Sequence, residues 1–166
     1  MLKDENGKSA LIGAVGDDKY GRLYSDLLKK ENIVPIFETF KEVNTGICAV
    51  YCNNRDRGHI TDLGASVMIS DKMFEEAKEV LKKAELIFTE LYIIKHKKDF
   101  VFKLAELGSK TGKIFGFNLP SFYFIETYLS DIKNLLKYAD IVFTNSAEAN
   151  YFANLCDFQQ VKFPVN

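Results

Sequence analysis

The sequence predicts an α/β protein: a mostly parallel sheet flanked by helices, with a small β excursion before its middle. Two observations carry that expectation. Short apolar runs at residues 10–15, 86–88, 113–118 and 141–143 alternate with segments whose apolar residues recur at helical spacing, the order of parallel strands linked by helices. After the first helical segment the pattern switches to period two, which belongs to strands joined by turns. A chain of 166 residues can form one domain with a sizeable core, so it reads as a single unit, 1–166, with a β insertion at 34–66.

The run at 10–15 ends in Gly16 and reads as a buried strand. Tyr20, Leu23, Tyr24, Leu27 and Leu28 share one helical face, and Asp17 or Asp18 is placed to cap that helix. Ile36, Glu38 and Phe40 then alternate with Phe37 and Thr39. Residues 47–52 and 59–63 are strand-like on either side of the polar turn Asn53-Asn54-Arg55-Asp56-Arg57-Gly58. Met73, Ala77, Val80, Leu81 and Ala84 lie on one face of a helix begun by Ser70 or Asp71. Beyond the strand at 86–88, a helix is expected from about residue 99 to Gly108, a glycine suited to a helix stop. The strand at 113–118 precedes a helix carrying Ile125, Leu129, Ile132, Leu135 and Leu136. The strand at 141–143 leads into a helix from Ser146 to about Leu155.

Composition narrows the function classes. The chain is 47% apolar and 27% charged, which is ordinary for a folded protein and unlike a disordered one. Its 22 basic and 23 acidic residues leave a net charge of −1, arguing against nucleic acid as a main partner, because phosphate binding needs a concentrated basic surface. Lys95-His96-Lys97-Lys98 is short and reads as a solvated loop or helix start. Met1-Leu2-Lys3-Asp4-Glu5-Asn6 lacks the apolar core of a signal peptide, and no apolar run approaches the length of a membrane span. Cys48, Cys52 and Cys156 are odd in number and lack metal-type spacing, so a reduced, cytoplasmic setting without a membrane partner is expected.

Four stretches carry chemistry or its imitation. Gly13-Ala14-Val15-Gly16-Asp17-Asp18-Lys19-Tyr20-Gly21 joins a strand to a helix; such glycines ordinarily just permit the turn, and no third glycine completes a dinucleotide fingerprint. Thr45-Gly46-Ile47-Cys48-Ala49-Val50 is followed by Arg57, which by itself reads as a solvated turn residue. Phe117-Asn118-Leu119-Pro120-Ser121-Phe122-Tyr123-Phe124-Ile125 supplies aromatics that by default belong to a core. Asn145-Ser146-Ala147-Glu148 reads as a helix start, with Asn145 as cap and Glu148 reaching back to it. A strand end meeting a helix start is also where α/β sheets bind ligands and where anions are welcomed.

In that order and spacing, these stretches resemble the middle of the adenosine kinases in the PfkB (ribokinase-like) family, over residues from about 10 to 158. The resemblance implies a ribokinase-like sheet with a small β lid, incomplete, and transfer of the γ-phosphate of ATP to the 5′-hydroxyl of adenosine, a purine-salvage reaction. It implies ATP and Mg²⁺ as phosphate donor and metal, with Asn145 and Glu148 ordering the ion through water and Asn118 on the nucleotide side. It implies that Arg57 stabilises charge on the transferred phosphoryl group, with Arg55 competing for that role. It places Cys48, His59, Thr61 and Leu63 around the nucleoside and Tyr123 where a base-stacking aromatic is expected.

The chain also departs from the family. His59 stands where an apolar residue is usual, Gly58 where a small polar one is, and Leu91-Tyr92-Ile93 where Gly-Phe-Phe is frequent. Sugar kinases of the superfamily share Thr-Gly and Asn-x-x-Glu, but Phe117-Asn118-Leu119 favours a nucleoside over a sugar. The Gly-Ala-Gly-Asp motif that carries the family's catalytic Asp does not follow Glu148, nor does a Gly-rich segment with an Asp precede Gly13. The resemblance therefore implies that the chain alone is inactive and marginally stable, completed by the segments it lacks or by another copy of itself. Two further readings stay open: a sugar kinase piece, and a non-catalytic relative that binds a nucleoside or a partner protein.

Overall fold

The computed structural model describes residues 8–53 and 56–156, and the chain divides into two compact units, Met1–Lys82 and Lys83–Asn166. In the first, β1 (Ser9–Gly16) and β2 (Ile33–Phe40) run parallel, in register from Ser9 opposite Ile33 to Gly16 opposite Phe40. They are joined by α1 (Lys19–Lys30), whose N-cap is Asp18, while Asp17 instead pairs with Arg22 at 2.8 Å. Tyr24 stacks on Phe37 of β2, with ring centroids 5.6 Å apart. The helix is where the periodicity puts it, but its apolar stripe is largely uncovered: Tyr20, Leu23, Tyr24 and Leu27 are all exposed, and only Gly21 and Leu28 are buried.

The β insertion expected over 34–66 is shorter than the alternation suggests. Residues of β2 belong to the parallel pair, and the antiparallel hairpin consists of β3 (Ile47–Asn53) and β4 (Asp56–Asp62). Alternation marks a strand without naming its neighbour; here the helix between β1 and β2 returns the chain to a parallel partner. A 3₁₀ turn, Gly64–Val67, follows β4. The single helix expected next is two short ones, α2 (Lys72–Glu76) and α3 (Lys78–Lys83), with Asp71 at the N-cap position. Met73, Ala77 and Leu81 form their buried stripe.

In the second unit β5 (Leu86–Thr89), β6 (Ile114–Asn118) and β7 (Ile141–Phe143) form a three-stranded parallel sheet in that order. The crossovers are α4 (Ile94–Thr111) and the pair α5 (Phe122–Thr127) and α6 (Leu129–Leu135), which break at Tyr128; α7 (Ser146–Leu155) follows β7. Ile87, Phe115 and Phe117 on one sheet face are buried, as are Val101 and Ala105 of α4 and Ile125, Ile132 and Leu135. The pleat sends Leu86, Phe88, Ile114, Ile141 and Phe143 to the other face, where all five are exposed.

One expected stop is overridden. The helix ending at Gly108 instead runs to Thr111 and is closed by Gly112, whose φ of 67° is the left-handed cap conformation. Gly108 is buried, and a Cβ there would stand 3.1 Å from Cβ of Phe115, so close packing of helix on strand accounts for this glycine. The basic run falls in the first turn of α4, where Lys97 leaves helical geometry at φ −139°, ψ 53°.

The expected α/β class with parallel strands is observed. Hydrogen bonding nevertheless divides the described strands among three sheets, β1–β2, β3–β4 and β5–β6–β7.

Candidate functional site: a hairpin face and a sheet edge

The residues singled out by sequence fall in both units. In the first, the hairpin register sets Cys48 opposite Thr61, Val50 opposite His59 and Cys52 opposite Arg57. Directly opposed residues of an antiparallel pair share a face, and so do residues two apart. Cys48, Arg57, His59 and Thr61 therefore stand on one face, tied at its base by the Thr61 hydroxyl donating to Sγ of Cys48 at 3.3 Å. All four are exposed. Arg55, which competes with Arg57 in the sequence, lies outside the described residues.

Leu63 is not on that pleat. It follows β4 with φ −72°, ψ −26°, a helical conformation that begins the 3₁₀ turn, so strand alternation no longer fixes its direction. Gly58 also gains a reason: the ring of Tyr51, its cross-strand partner, lies where a Cβ would be. A cleft of about 250 Å³ opens at the base of the hairpin, lined by Asp18, Lys19, Tyr20, Asn44, Thr45, Ile47 and Asp62. Ile47 and Asp62 are an opposed pair on the face away from Cys48 and Thr61, so the cleft and the predicted nucleoside face are on different sides of the hairpin.

In the second unit the predicted residues gather at the C-terminal edge of the parallel sheet. Asn118 ends β6 opposite Phe143 of β7, and the amide of Leu119 donates to the Phe143 carbonyl at 2.9 Å. Two residues past Phe143, Asn145 caps α7 in a complete capping box. Its Oδ1 accepts from the Glu148 amide at 2.8 Å, and Glu148 Oε2 accepts from the Asn145 amide at 3.3 Å and from the Thr144 hydroxyl at 3.4 Å. Tyr123, in the first turn of α5, is 76% exposed, whereas its neighbours Phe122 and Phe124 meet Tyr151 and Tyr92.

The box bears on how Mg²⁺ could be held. Asn145 Oδ1 accepts from the Glu148 amide and Glu148 Oε2 from the Asn145 amide, so each side chain is turned back onto the backbone of the cap. They fit a hydrated ion: with no partner among the described residues, Glu148 Oε1 can accept from metal-bound water and Asn145 Nδ2 can donate to a phosphate oxygen. Among the described residues no group of three or more His, Cys, Asp or Glu is placed to hold a metal.

Two residues, one in each unit, were missed as partners in the sequence. Glu90, one position past β5, receives Nδ2 of Asn118 on Oε1 at 2.8 Å and the Tyr92 amide on Oε2 at 2.9 Å. Asp18, expected only as a possible helix cap, also receives the amide and hydroxyl of Thr45. Position past a strand end is the one signal that could have found Glu90; nothing local joins Asp18 to a residue 27 positions away.

The chain is 28% identical over 151 residues to the adenosine kinase of Dictyostelium discoideum, covering 90% of this chain and 44% of that one. It superposes on the adenosine kinase of Schistosoma mansoni in complex with 2-fluoroadenosine with a TM-score of 0.84 at 23% identity, covering 91% of this chain and 45% of that one. A probable sugar kinase from Rhizobium etli CFN 42 gives a TM-score of 0.82 at 21% identity, covering 90% and 46%. The fold is thus ribokinase-like α/β, and the chain spans less than half the length of these relatives. No helix among the described residues is long and apolar enough to cross a membrane. The pfkB family carbohydrate kinase profile matches residues 2–162, and the chain belongs to that family.

Proposed function

We propose that this chain supplies the lid and the nucleotide-side sheet edge of an adenosine kinase-type enzyme, which transfers the γ-phosphate of ATP to the 5′-hydroxyl of adenosine in cytoplasmic purine salvage. The observation that carries this reading is the single hairpin face bearing Cys48, Arg57, His59 and Thr61. The similarity to adenosine kinases supports it. On this reading the Arg57 guanidinium meets the transferred phosphoryl group, where a planar fork of donors offsets its charge. Cys48, His59 and Thr61 on the hairpin face, with Leu63 just past β4, are the proposed nucleoside contacts of the first unit; in the second unit, exposed Tyr123 is the proposed base-stacking aromatic. Asn118, engaged with Glu90 and the Leu91 amide, would shape the ATP side of the sheet edge, Asn145 Nδ2 would donate to a phosphate, and Glu148 would hold the water shell of Mg²⁺, which when bound offsets phosphate charge.

The sequence has no Gly-Ala-Gly-Asp motif after Glu148, and with it goes the base that would take the hydroxyl proton. The chain by itself is therefore read as binding without transfer. Calorimetric titration with adenosine, ribose and fructose, alongside a transfer assay with radiolabelled ATP and Mg²⁺, tests this. Adenosine binding without label transfer is the expected result. Binding of ribose or fructose in place of adenosine would move the chain to the sugar kinases, and measurable transfer by the chain alone would refute its inactivity.

A further inference from the structure

Every residue of β3 is exposed, so the direction in which the hairpin points is set at its root. That root is bolted together. The chain enters through Asn44, Thr45 and Gly46 and leaves through Leu63, Gly64 and Ala65, and the Ala65 amide donates to the Asn44 carbonyl at 2.8 Å. Gly64 has φ 46° and lies against the Asn44 carbonyl, while Gly46 lies against the Leu63 carbonyl; side chains at either would hit backbone.

Thr45 joins this root to the body. It is 9% exposed, and its hydroxyl accepts from the Gly16 amide at 2.9 Å and donates to Oδ1 of Asp18 at 2.8 Å. Its amide donates to Oδ2 of Asp18 at 2.7 Å. The same Oδ1 accepts from the amides of Tyr20 at 3.0 Å and Gly21 at 2.8 Å. One carboxylate therefore closes the start of α1 and grips the first residues leading into the hairpin. Capping needs a single side-chain oxygen, and Ser, Thr or Asn serve as well. The second oxygen and the reach of Asp18 are spent on Thr45.

We infer that Asp18 is a positioning residue for the hairpin: through Thr45 it fixes the angle of the face bearing Cys48, Arg57, His59 and Thr61 relative to β1 and α1. The inference rests on reading the hairpin as a lid, since that gives the angle its consequence. The geometry of the clamp stands without any ligand.

The test separates capping from positioning. Asp18→Ser keeps a capping oxygen but is too short to cap α1 and hold the Thr45 amide at once, and Thr45→Val removes the hydroxyl from the other side. Spin labels on Cys52 of the hairpin and on Val34→Cys of β2, in the full chain with Cys48→Ser and Cys156→Ser, report the hairpin angle as a distance distribution. Both variants are expected to widen that distribution about twofold, as local opening at a loosened root requires, with helical circular dichroism retained. Asp17→Asn, which alters only the charge of the exposed side-chain pair with Arg22, is expected to leave it unchanged. Wild-type distributions in both variants would overturn the inference, and if Asp18→Ser fails to fold, Thr45→Val alone decides. No nucleoside or ATP is present, so a chain that binds no adenosine still returns a distribution, and failure of the lid reading is distinguishable from failure of the clamp.

Discussion

Asn118 and Glu90 hold one another at the ends of adjacent parallel strands: Nδ2 of Asn118 donates to Oε1 of Glu90 at 2.8 Å, and Oδ1 of Asn118 accepts from the Leu91 amide at 2.8 Å. Leu91 is fully buried, so its amide depends on that oxygen. Asn118→Leu orphans the amide and is expected to destabilise the chain by about 1–3 kcal/mol, the cost of a buried unsatisfied donor. Urea unfolding measures it; a loss below the error of the extrapolation would mean that water or another carbonyl replaces Asn118.

The Asn145–Glu148 box separates capping from metal chemistry. Glu148→Gln retains an oxygen for the Asn145 amide but removes the charge. Thermal stability is therefore expected to hold within about 0.5 kcal/mol, as for an exposed substitution, while Mg²⁺-dependent ATP binding weakens. Asn145→Ala loses the cap and costs about 1 kcal/mol. Equal nucleotide binding by Glu148→Gln and the parent chain would leave Glu148 as a cap alone.

Gly64→Ala forces a side chain into the left-handed region and against the Asn44 carbonyl. Left-handed geometry alone costs about 1–2 kcal/mol, and the collision adds to it. Denaturant melts should show at least that loss, whereas Gly112→Ala, with open space at its Cβ, should show the conformational part only.

The Asp18 carboxyl is held down to about 2, first by the Gly21 amide and then by the Thr45 amide, against an ordinary value of 3.8. A carboxyl whose folded value is depressed contributes stability that is complete above its unfolded value and is lost as pH falls through the folded one. The hairpin root should therefore loosen between about pH 4 and pH 2. The charged groups nearby are Asp17, paired with Arg22, and Lys19 and Asp62 of the same cleft. Amide resonances of Thr45 and Gly21 should shift together with a midpoint near pH 2, and Asp18→Asn should abolish the step. Independent midpoints for the two amides would break the link.

Leu86, Phe88, Ile114, Ile141 and Phe143 form an exposed apolar sheet face. Contiguous apolar surface of this kind favours association, so sedimentation velocity should show concentration-dependent self-association of the chain, reduced by Phe88→Lys. A monomer across the accessible concentration range would contradict this.

Most elements were legible before folding is considered, because period and punctuation are local. The strands before Gly16 and at 141–143, α1 and α7 lie where apolar spacing and caps place them, and Asn145 with Glu148 was readable as a capping box from a three-residue interval. Long-range packing set what local pattern cannot carry. The sequence pointed to Gly108 as the helix stop; packing of Gly108 on Phe115 keeps it inside α4, and Gly112 closes the helix. Alternation along β2 did not reveal that its partner is β1, and the stripe on α1 did not reveal that it stays exposed. Register placed Cys48, Arg57, His59 and Thr61 on one face, and folding brought Asp18 to Thr45 and Asn118 to Glu90. Those pairs are 27 and 28 residues apart, beyond any helical or strand period, and only the path of the intervening chain brings them within hydrogen-bond reach.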